Sequence, residues 1–173
     1  MENKSSVIIL GSARSDGNTR KIVDKFIEEN PGTTLVDLST QQIEYFDYGF
    51  KNLDDDFIPL MEKILQHDLL IFATPVYWYS MSAVMKTFFD RITDLLYKRK
   101  ELGRQLNGKY MMSISCGSDE ELNDGFSIPF SSTANYLKME YLGHLHTWLE
   151  NDRISDEVLK RIQGFSNKLV SNT

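Results

Sequence analysis

The sequence predicts an α/β domain built on a parallel sheet with helices on both faces. Three observations lead there. Short apolar runs alternate with amphipathic stretches of helical period, and five such alternations follow one another. Several runs are apolar at every position rather than every second one, as expected of strands covered on both sides. Right-handed crossovers between such strands place their helices over the sheet.

Val7, Ile8, Ile9 and Leu10 form the first run. A Gly/Ser/Asp/Asn loop over 11–18 follows. Thr19, Ile22, Val23, Phe26 and Ile27 then fall at helical spacing, and Asn30, Pro31 and Gly32 end that helix. Residues 34–38 read as the second strand and 39–53 as irregular. Asp54, Asp55 and Asp56 lead into a helix carrying Phe57, Leu60, Met61, Ile64 and Leu65, with Pro59 in its opening turns. The three acids read as caps at its positive dipole end. Residues 69–73 form the third strand. Met81, Val84, Met85, Phe88, Phe89, Ile92, Leu95 and Leu96 make one stripe of a third helix, with Lys86, Asp90, Arg91 and Asp94 opposite. Residues 109–115 form a fourth strand, 128–141 a helix and 143–149 a fifth strand. Ser155 caps a last helix bearing Val158, Leu159, Ile162, Phe165 and Leu169.

The chain has 173 residues, which suits one domain spanning 1–173. Its composition, 41% hydrophobic and 25% charged, is that of a globular protein. Nineteen basic against 25 acidic residues leave a net charge of −6, which argues against nucleic acid as a partner. Lys98, Arg99 and Lys100 read as partners of a helix carboxyl end. One cysteine excludes a disulfide within the chain, a cysteine-ligated iron–sulfur cluster and a Cys-rich zinc site. It points to the cytoplasm. The apolar run at 7–10 is too short for a signal-peptide core. The run at 69–76 falls far short of the ~20 residues of a membrane span. His144 and His146 share a strand face without a third ligand, so no metal site is expected. His67, at a helix end, reads as structural.

Parallel sheets of this kind bind ligands beyond the carboxyl ends of their strands. The loops starting at Gly11, Thr74 and Cys116 are therefore the functional candidates. In the first, Gly11, Ser12, Ala13, Arg14, Ser15, Asp16, Gly17, Asn18 and Thr19 join a buried strand to a helix N-terminus. Free N–H groups, hydroxyl donors and the Arg14 fork suit an anion there. Five residues separate Gly11 from Gly17, and Asn18 follows where a nucleoside-triphosphate loop has Lys. Ala13 likewise breaks the dinucleotide G-x-G-x-x-G pattern. The plainer alternative is a connecting loop in which Asn18 or Asp16 caps the helix.

In the second loop Tyr77, Trp78 and Tyr79 cannot all enter the core, and flat side chains at a rim suit a flat heterocycle. Packing on the third helix or on a partner subunit is the alternative. A phosphate cradle beside an aromatic shelf fits a ligand of the shape of FMN.

These residues resemble the flavodoxin-fold NAD(P)H-dependent FMN reductases and related quinone reductases. The family pattern G-S-x-R-x-x-G-N-T is matched by Gly11, Ser12, Arg14, Gly17, Asn18 and Thr19. Its P-x-Y segment is matched by Pro75 and Tyr77, followed by a helix through Lys86, Phe89, Asp90 and Arg91. The resemblance implies a five-stranded sheet of order 2-1-3-4-5. It implies that Ser12, Arg14, Asn18 and Thr19 hold the FMN phosphate. Pro75, Val76, Tyr77 and Trp78 would line the ring and ribityl, and Cys116, Gly117 and Ser118 the ring's other edge. Cys116 also has a plain reading as a small, half-buried residue. The cysteine cluster of the iron–sulfur flavoproteins is absent from 43–50, an aromatic segment that either covers a partner subunit's flavin or packs.

The implied activity is hydride transfer from NADH or NADPH through the flavin to a small acceptor, with no catalytic side chain required. The resemblance also implies a small-molecule acceptor as partner and assembly as a homodimer or homotetramer. The competing reading is a flavodoxin-type electron carrier. Arg14 is foreign to the phosphate loop of such carriers, whose Thr/Ser-x-Thr-Gly-x-Thr pattern is absent.

Overall fold

In the computed structural model the described residues are 5–171, with side chains described through Lys168. Leu169, placed on the last apolar stripe, lies outside the described side chains. The strands are β1 (Ser6–Leu10), β2 (Thr34–Asp37), β3 (Leu69–Pro75), β4 (Tyr110–Cys116) and β5 (Glu140–Thr147). The helices are α1 (Asn18–Glu29), α2 (Phe57–Ile64), α3 (Ala83–Tyr97), a one-turn α4 (Lys100–Gly103), α5 (Ile128–Tyr136) and α6 (Asp156–Ser171). All strand pairings are parallel, in the order β2-β1-β3-β4-β5 expected from the resemblance.

The all-apolar strands divide their side chains by parity. Val7, Ile9, Leu70 and Phe72 enter a core with Phe57, Phe88 and Phe130 from α2, α3 and α5. Ile8, Leu10, Ile71 and Ala73 enter the opposite one with Phe26, Ile162 and Phe165 from α1 and α6. Each strand residue thus has a helix to bury it, whichever side it faces.

Several boundaries move, for local reasons. β4 begins and ends one residue late, so Cys116 closes the strand instead of following it. The helix expected to reach 141 stops at Tyr136. Lys138 turns left-handed (φ 59°), and the Met139 N–H returns to the Ala134 carbonyl at 2.8 Å. β5 therefore starts at Glu140, and Gly143 lies inside it, at a register shift opposite the Met111–Met112 step. Its φ of +118° is open to glycine and strained for any side chain. α4 and the 3-10 turn Arg104–Leu106 occupy a stretch with no strong period. Lys98 sits over the Phe50 ring and Arg99 bonds Glu62 and Glu101, so the basic cluster is held by side chains rather than by the α3 dipole alone.

The larger correction concerns α3. Arg91 and Asp94, expected on its polar side, are 1% and 2% exposed. Arg91 donates to Asp94 Oδ2 (2.6 Å), to both carboxylate oxygens of Asp55, and to the carbonyls of Glu44 (2.9 Å) and Asn52 (2.6 Å). All its N–H groups are used, and Phe57 stacks beneath the guanidinium at 4.9 Å. Asp55 is thus chiefly an ion-pair partner, although its Oδ1 also accepts the Phe57 N–H at 3.0 Å. Asp56 accepts the Gln42 N–H at 2.7 Å and does not cap α2. Burial raises the Asp55 carboxyl. The bonds from Arg91 and from the Phe57 and Glu44 N–H groups outweigh that and hold it below its ordinary value. The irregular segment 42–56 is closed at its base by these contacts. Within it, Phe46 packs edge-on against Tyr48 and Phe50, which supports the packing role for the aromatic insertion.

β4 and β5 carry a polar stripe, buried at Ser113 and Ser115 and half-buried at Tyr141, His144 and His146. His144 lies between Ser113 and Ser115, packed against Phe126 and Phe130. Burial, with His146 adding to it, pushes the His144 imidazole from 6.5 down to about 4.

Two outcomes follow from this packing. Replacing Arg91 by Ala leaves two buried carboxylates without a counter-charge, at a cost of about 3–5 kcal/mol in urea unfolding. His144 is protonated near pH 6.5 when unfolded but only near pH 4 when folded. Its contribution is therefore complete above pH 6.5 and is lost as the pH falls towards 4, about 3 kcal/mol in all. Urea midpoints measured across that window will show the slope, and His144→Asn will flatten it.

Candidate functional site

The three candidate loops leave the carboxyl ends of β1, β3 and β4, which are neighbours in the sheet. Their floor is one buried network. The Gly11 N–H donates to the Ala73 carbonyl at 2.8 Å, and the Gly11 carbonyl accepts the Ser82 hydroxyl at 2.6 Å. Ser82 caps α3 by accepting the Met85 N–H at 3.1 Å, and its own N–H donates to Thr74 Oγ1 at 3.0 Å. A Cβ on Gly11 would sit 2.8 Å from Met85 Cβ, so only glycine allows this approach.

From that floor the chain passes over Ser12, which is buried and accepts the Arg14 N–H at 3.4 Å. It then reaches Gly17, the extended N-cap of α1. No side chain caps this helix, so neither Asn18 nor Asp16 plays the plain capping role. The first-turn N–H groups stay available to a ligand. Asn18 is exposed and Thr19 buried. The Thr19 hydroxyl bonds the Cys116 thiol, so Thr19 offers a ligand its backbone instead. Arg14 is exposed and lies against Gly17, where a Cβ would be 3.5 Å from Nη2. Among the described residues no carboxylate pairs with it. Ser15 turns away and bonds Ser39 at 2.8 Å.

The second loop is tighter than an irregular connection. Pro75 is buried at the end of β3 and Val76 half-buried, its N–H on the Cys116 carbonyl at 2.9 Å. Tyr77 and Ser80 exchange backbone bonds of 2.9 and 3.1 Å around Trp78 and Tyr79, which both have positive φ (48° and 64°). This is the geometry of a two-residue turn that favours Asn and Gly. Holding two bulky residues there costs about 1–2 kcal/mol each. In return it projects Trp78, 93% exposed, beside the half-exposed Tyr77. The sequence foresaw exposed rings but not the turn that presents them.

In the third loop Cys116 is buried, Gly117 half-buried and Ser118 exposed. Burial pushes the Cys116 thiol up to about 11 despite bonds from Thr147 and Thr19. A buried, fully protonated thiol is a packing residue rather than a nucleophile. Gly117 is pinned by its N–H on the Thr147 carbonyl at 2.9 Å, and the Ser118 hydroxyl donates to Asp119 at 2.9 Å. Beside the first loop, a cavity of about 460 Å³ runs from Ala13 to Ile43, Tyr45, Val84 and Thr87, so the aromatic insertion also borders the site.

The structure therefore brings together every residue proposed from the resemblance along one sheet edge. It adds Thr74 and Ser82, which sequence reasoning missed as braces. The only signal was a buried-strand Thr and a Ser one residue before a helical stripe.

Comparison with known proteins agrees with this geometry. A family described as NADPH-dependent FMN reductase matches residues 5–149. YwqN of Bacillus subtilis, whose name places it among NAD(P)H-dependent FMN-containing oxidoreductases, is 30% identical over 152 residues, 80% of this chain and 81% of that one. Among solved structures, a Trp repressor binding protein from Bacillus subtilis superposes with a TM-score of 0.70 at 25% identity, covering 95% and 96% of the two chains. General stress protein 14 of Treponema denticola, solved in complex with FMN, gives a TM-score of 0.67 at 17% identity over 98% and 99%. The match spans all three candidate loops, and on it the chain belongs to the NADPH-dependent FMN reductase family, as an FMN- and NAD(P)H-dependent oxidoreductase of flavodoxin-like fold.

Proposed function

We propose that the protein binds FMN on this sheet edge and uses it to pass reducing equivalents from NADH or NADPH to a small acceptor. A quinone, a free flavin, or a nitro or azo compound is the class of acceptor that fits. The observation that carries the reading is the uncapped α1 N-terminus beside Arg14, which no carboxylate pairs among the described residues. A dianionic phosphate supplies what both lack. Ser12, Arg14, Asn18 and the Thr19 backbone would hold it. Pro75, Val76, Tyr77 and Trp78 would line the ring and ribityl, with Cys116, Gly117 and Ser118 at the opposite edge. When bound, FMN supplies hydride and electron chemistry that protein side chains lack.

The side chains described here bind, orient and restrict access. No acid or base is assigned among them. The thiol of Cys116 stays protonated and serves to pack the floor. We further propose one domain over 1–173, acting in the cytoplasm as a homodimer or homotetramer. The exposed rings of Tyr45, Trp78 and Tyr79 near the site support an assembly that covers them. The acidic chain, at −6, gives nucleic acid no partner surface. Among the described residues no helix is long and apolar enough to cross a membrane.

Replacing Arg14 by Ala removes a charge-assisted contact on the exposed face of the loop. FMN affinity should fall about 10- to 100-fold with the thermal midpoint unchanged, read by flavin-fluorescence titration of apoprotein. Unchanged affinity would count against the phosphate assignment. In anaerobic spectra of the FMN-loaded protein, NADH or NADPH alone should bleach the flavin band. Failure of both donors would leave the electron-carrier reading in its place.

A further inference from the structure

The polar stripe on β4 and β5, buried at its serines and half-buried at Tyr141, His144 and His146, continues as an unbroken chain of hydrogen bonds. Tyr141 Oη meets Ser113 Oγ at 2.7 Å, and Ser113 Oγ meets His144 Nδ1 at 2.7 Å. His144 Nε2 meets Ser115 Oγ at 2.8 Å, and Ser115 Oγ meets His146 Nδ1 at 2.7 Å. His146 Nε2 ends the chain on the Asp119 carbonyl at 3.1 Å, and its ring lies against Gly117, where a Cβ would be 2.9 Å from Cε1. The register shift in β5 is what makes this possible. Ser113 pairs with His144 and Ser115 with His146, while the extra residue at the shift turns Tyr141 onto the same face as His144.

The last link sets the direction of all the others. A carbonyl can only accept, so His146 carries its proton on Nε2. Its Nδ1 then accepts from Ser115, and Ser115 accepts from His144 Nε2–H. His144 Nδ1 accepts from Ser113, which accepts from Tyr141. Each group has one role left once its neighbour's is known. Burial holds both imidazoles below their ordinary value, as this neutral arrangement requires. Arg161 opposes the charged form of His146, and the Asp119 carboxylate favours it.

We propose that His146 is a positioning residue for the Gly117–Asp119 rim of the cofactor site, and that the relay from Tyr141 through Ser115 locks it in the Nε2–H form that grips that rim. This rests on the reading of the rim as a wall of the FMN site. With the other tautomer, His146 would set a lone pair against the Asp119 carbonyl and push the rim away.

Two measurements on the full chain test this. Nitrogen-15 NMR at pH 7.5 should find His144 and His146 both neutral and protonated on Nε2. A proton on Nδ1 of either ring, or a charged His146, overturns the relay. Flavin titration should then separate two variants of His146. His146→Gln keeps a donor at the Nε2 position and should bind FMN within about threefold of wild type. His146→Asn loses that donor and should bind about tenfold more weakly, as expected for one lost hydrogen bond. Equal affinities in the two variants, with circular dichroism unchanged, overturn the positioning role. Absence of FMN binding by the wild type would sink the cofactor reading itself, and the tautomer measurement would still decide the relay.

Discussion

The approach of Gly11 to α3 is the constraint on which the site depends. β1 must end, turn and feed α1 while lying in van der Waals contact with Met85 of α3. A side chain at position 11 would force the two elements apart. The Ser82 hydroxyl then does two things at once. It caps α3, and it donates to the Gly11 carbonyl. Thr74 ties the end of β3 to the same serine. Two strand–helix junctions, β1–α1 and β3–α3, thus share one buried network, and the loops above them inherit a common floor. Preorganisation of this kind lets a loop bind an anion without first losing its own disorder.

A second buried network works at longer range. Arg91 satisfies every one of its donors with groups from a single irregular segment and its own helix. That closes 42–56 into a loop in which Tyr45 borders the site while Phe46, Tyr48 and Phe50 pack on one another. A buried ion pair of this sort is poor evidence for net stability, since desolvation offsets much of its attraction. Its consequence is conformational: a segment with no regular structure is given one position. The strained Trp78–Tyr79 turn belongs to the same logic. Left-handed backbone at two aromatic residues is tolerated where the surrounding sheet end over-determines it, and such strain gathers at functional sites.

The overall charge of −6 hides the feature that matters for binding. Among the described residues Arg14 stands without a carboxylate partner, beside a helix end that no side chain caps. Some other cations are paired locally, as in Arg20 with Asp24, Lys86 with Asp90 and Arg161 with Glu157, whereas Arg14 lies against Gly17 at the N-terminus of α1. The family match gives this contrast a chemical meaning. The loop after β1 sets a positive side chain at a positive helix end, and the single cysteine takes no part in it because burial keeps its thiol protonated.

By itself the sequence determined the layered α/β class, the order of elements and the three loops at the sheet edge. It did so because apolar runs and helical periods are local signals that each short segment carries alone. The G-S-x-R-x-x-G-N-T and P-x-Y segments were legible for the same reason. What the tertiary structure decided were the partners. Arg91 and Asp94 read as a polar helix face until segment 42–56 is folded over them. His144 and His146 read as a pair on one strand face, with no link to Ser113 and Ser115 until parallel pairing sets the four opposite one another. Gly143 read as a strand start, but β5 begins at Glu140 and Gly143 lies within it at the register shift. Hydrogen bonds and ion pairs between residues tens of positions apart have no sequence period. They exist only once the hydrophobic framework has brought those residues within about 3 Å.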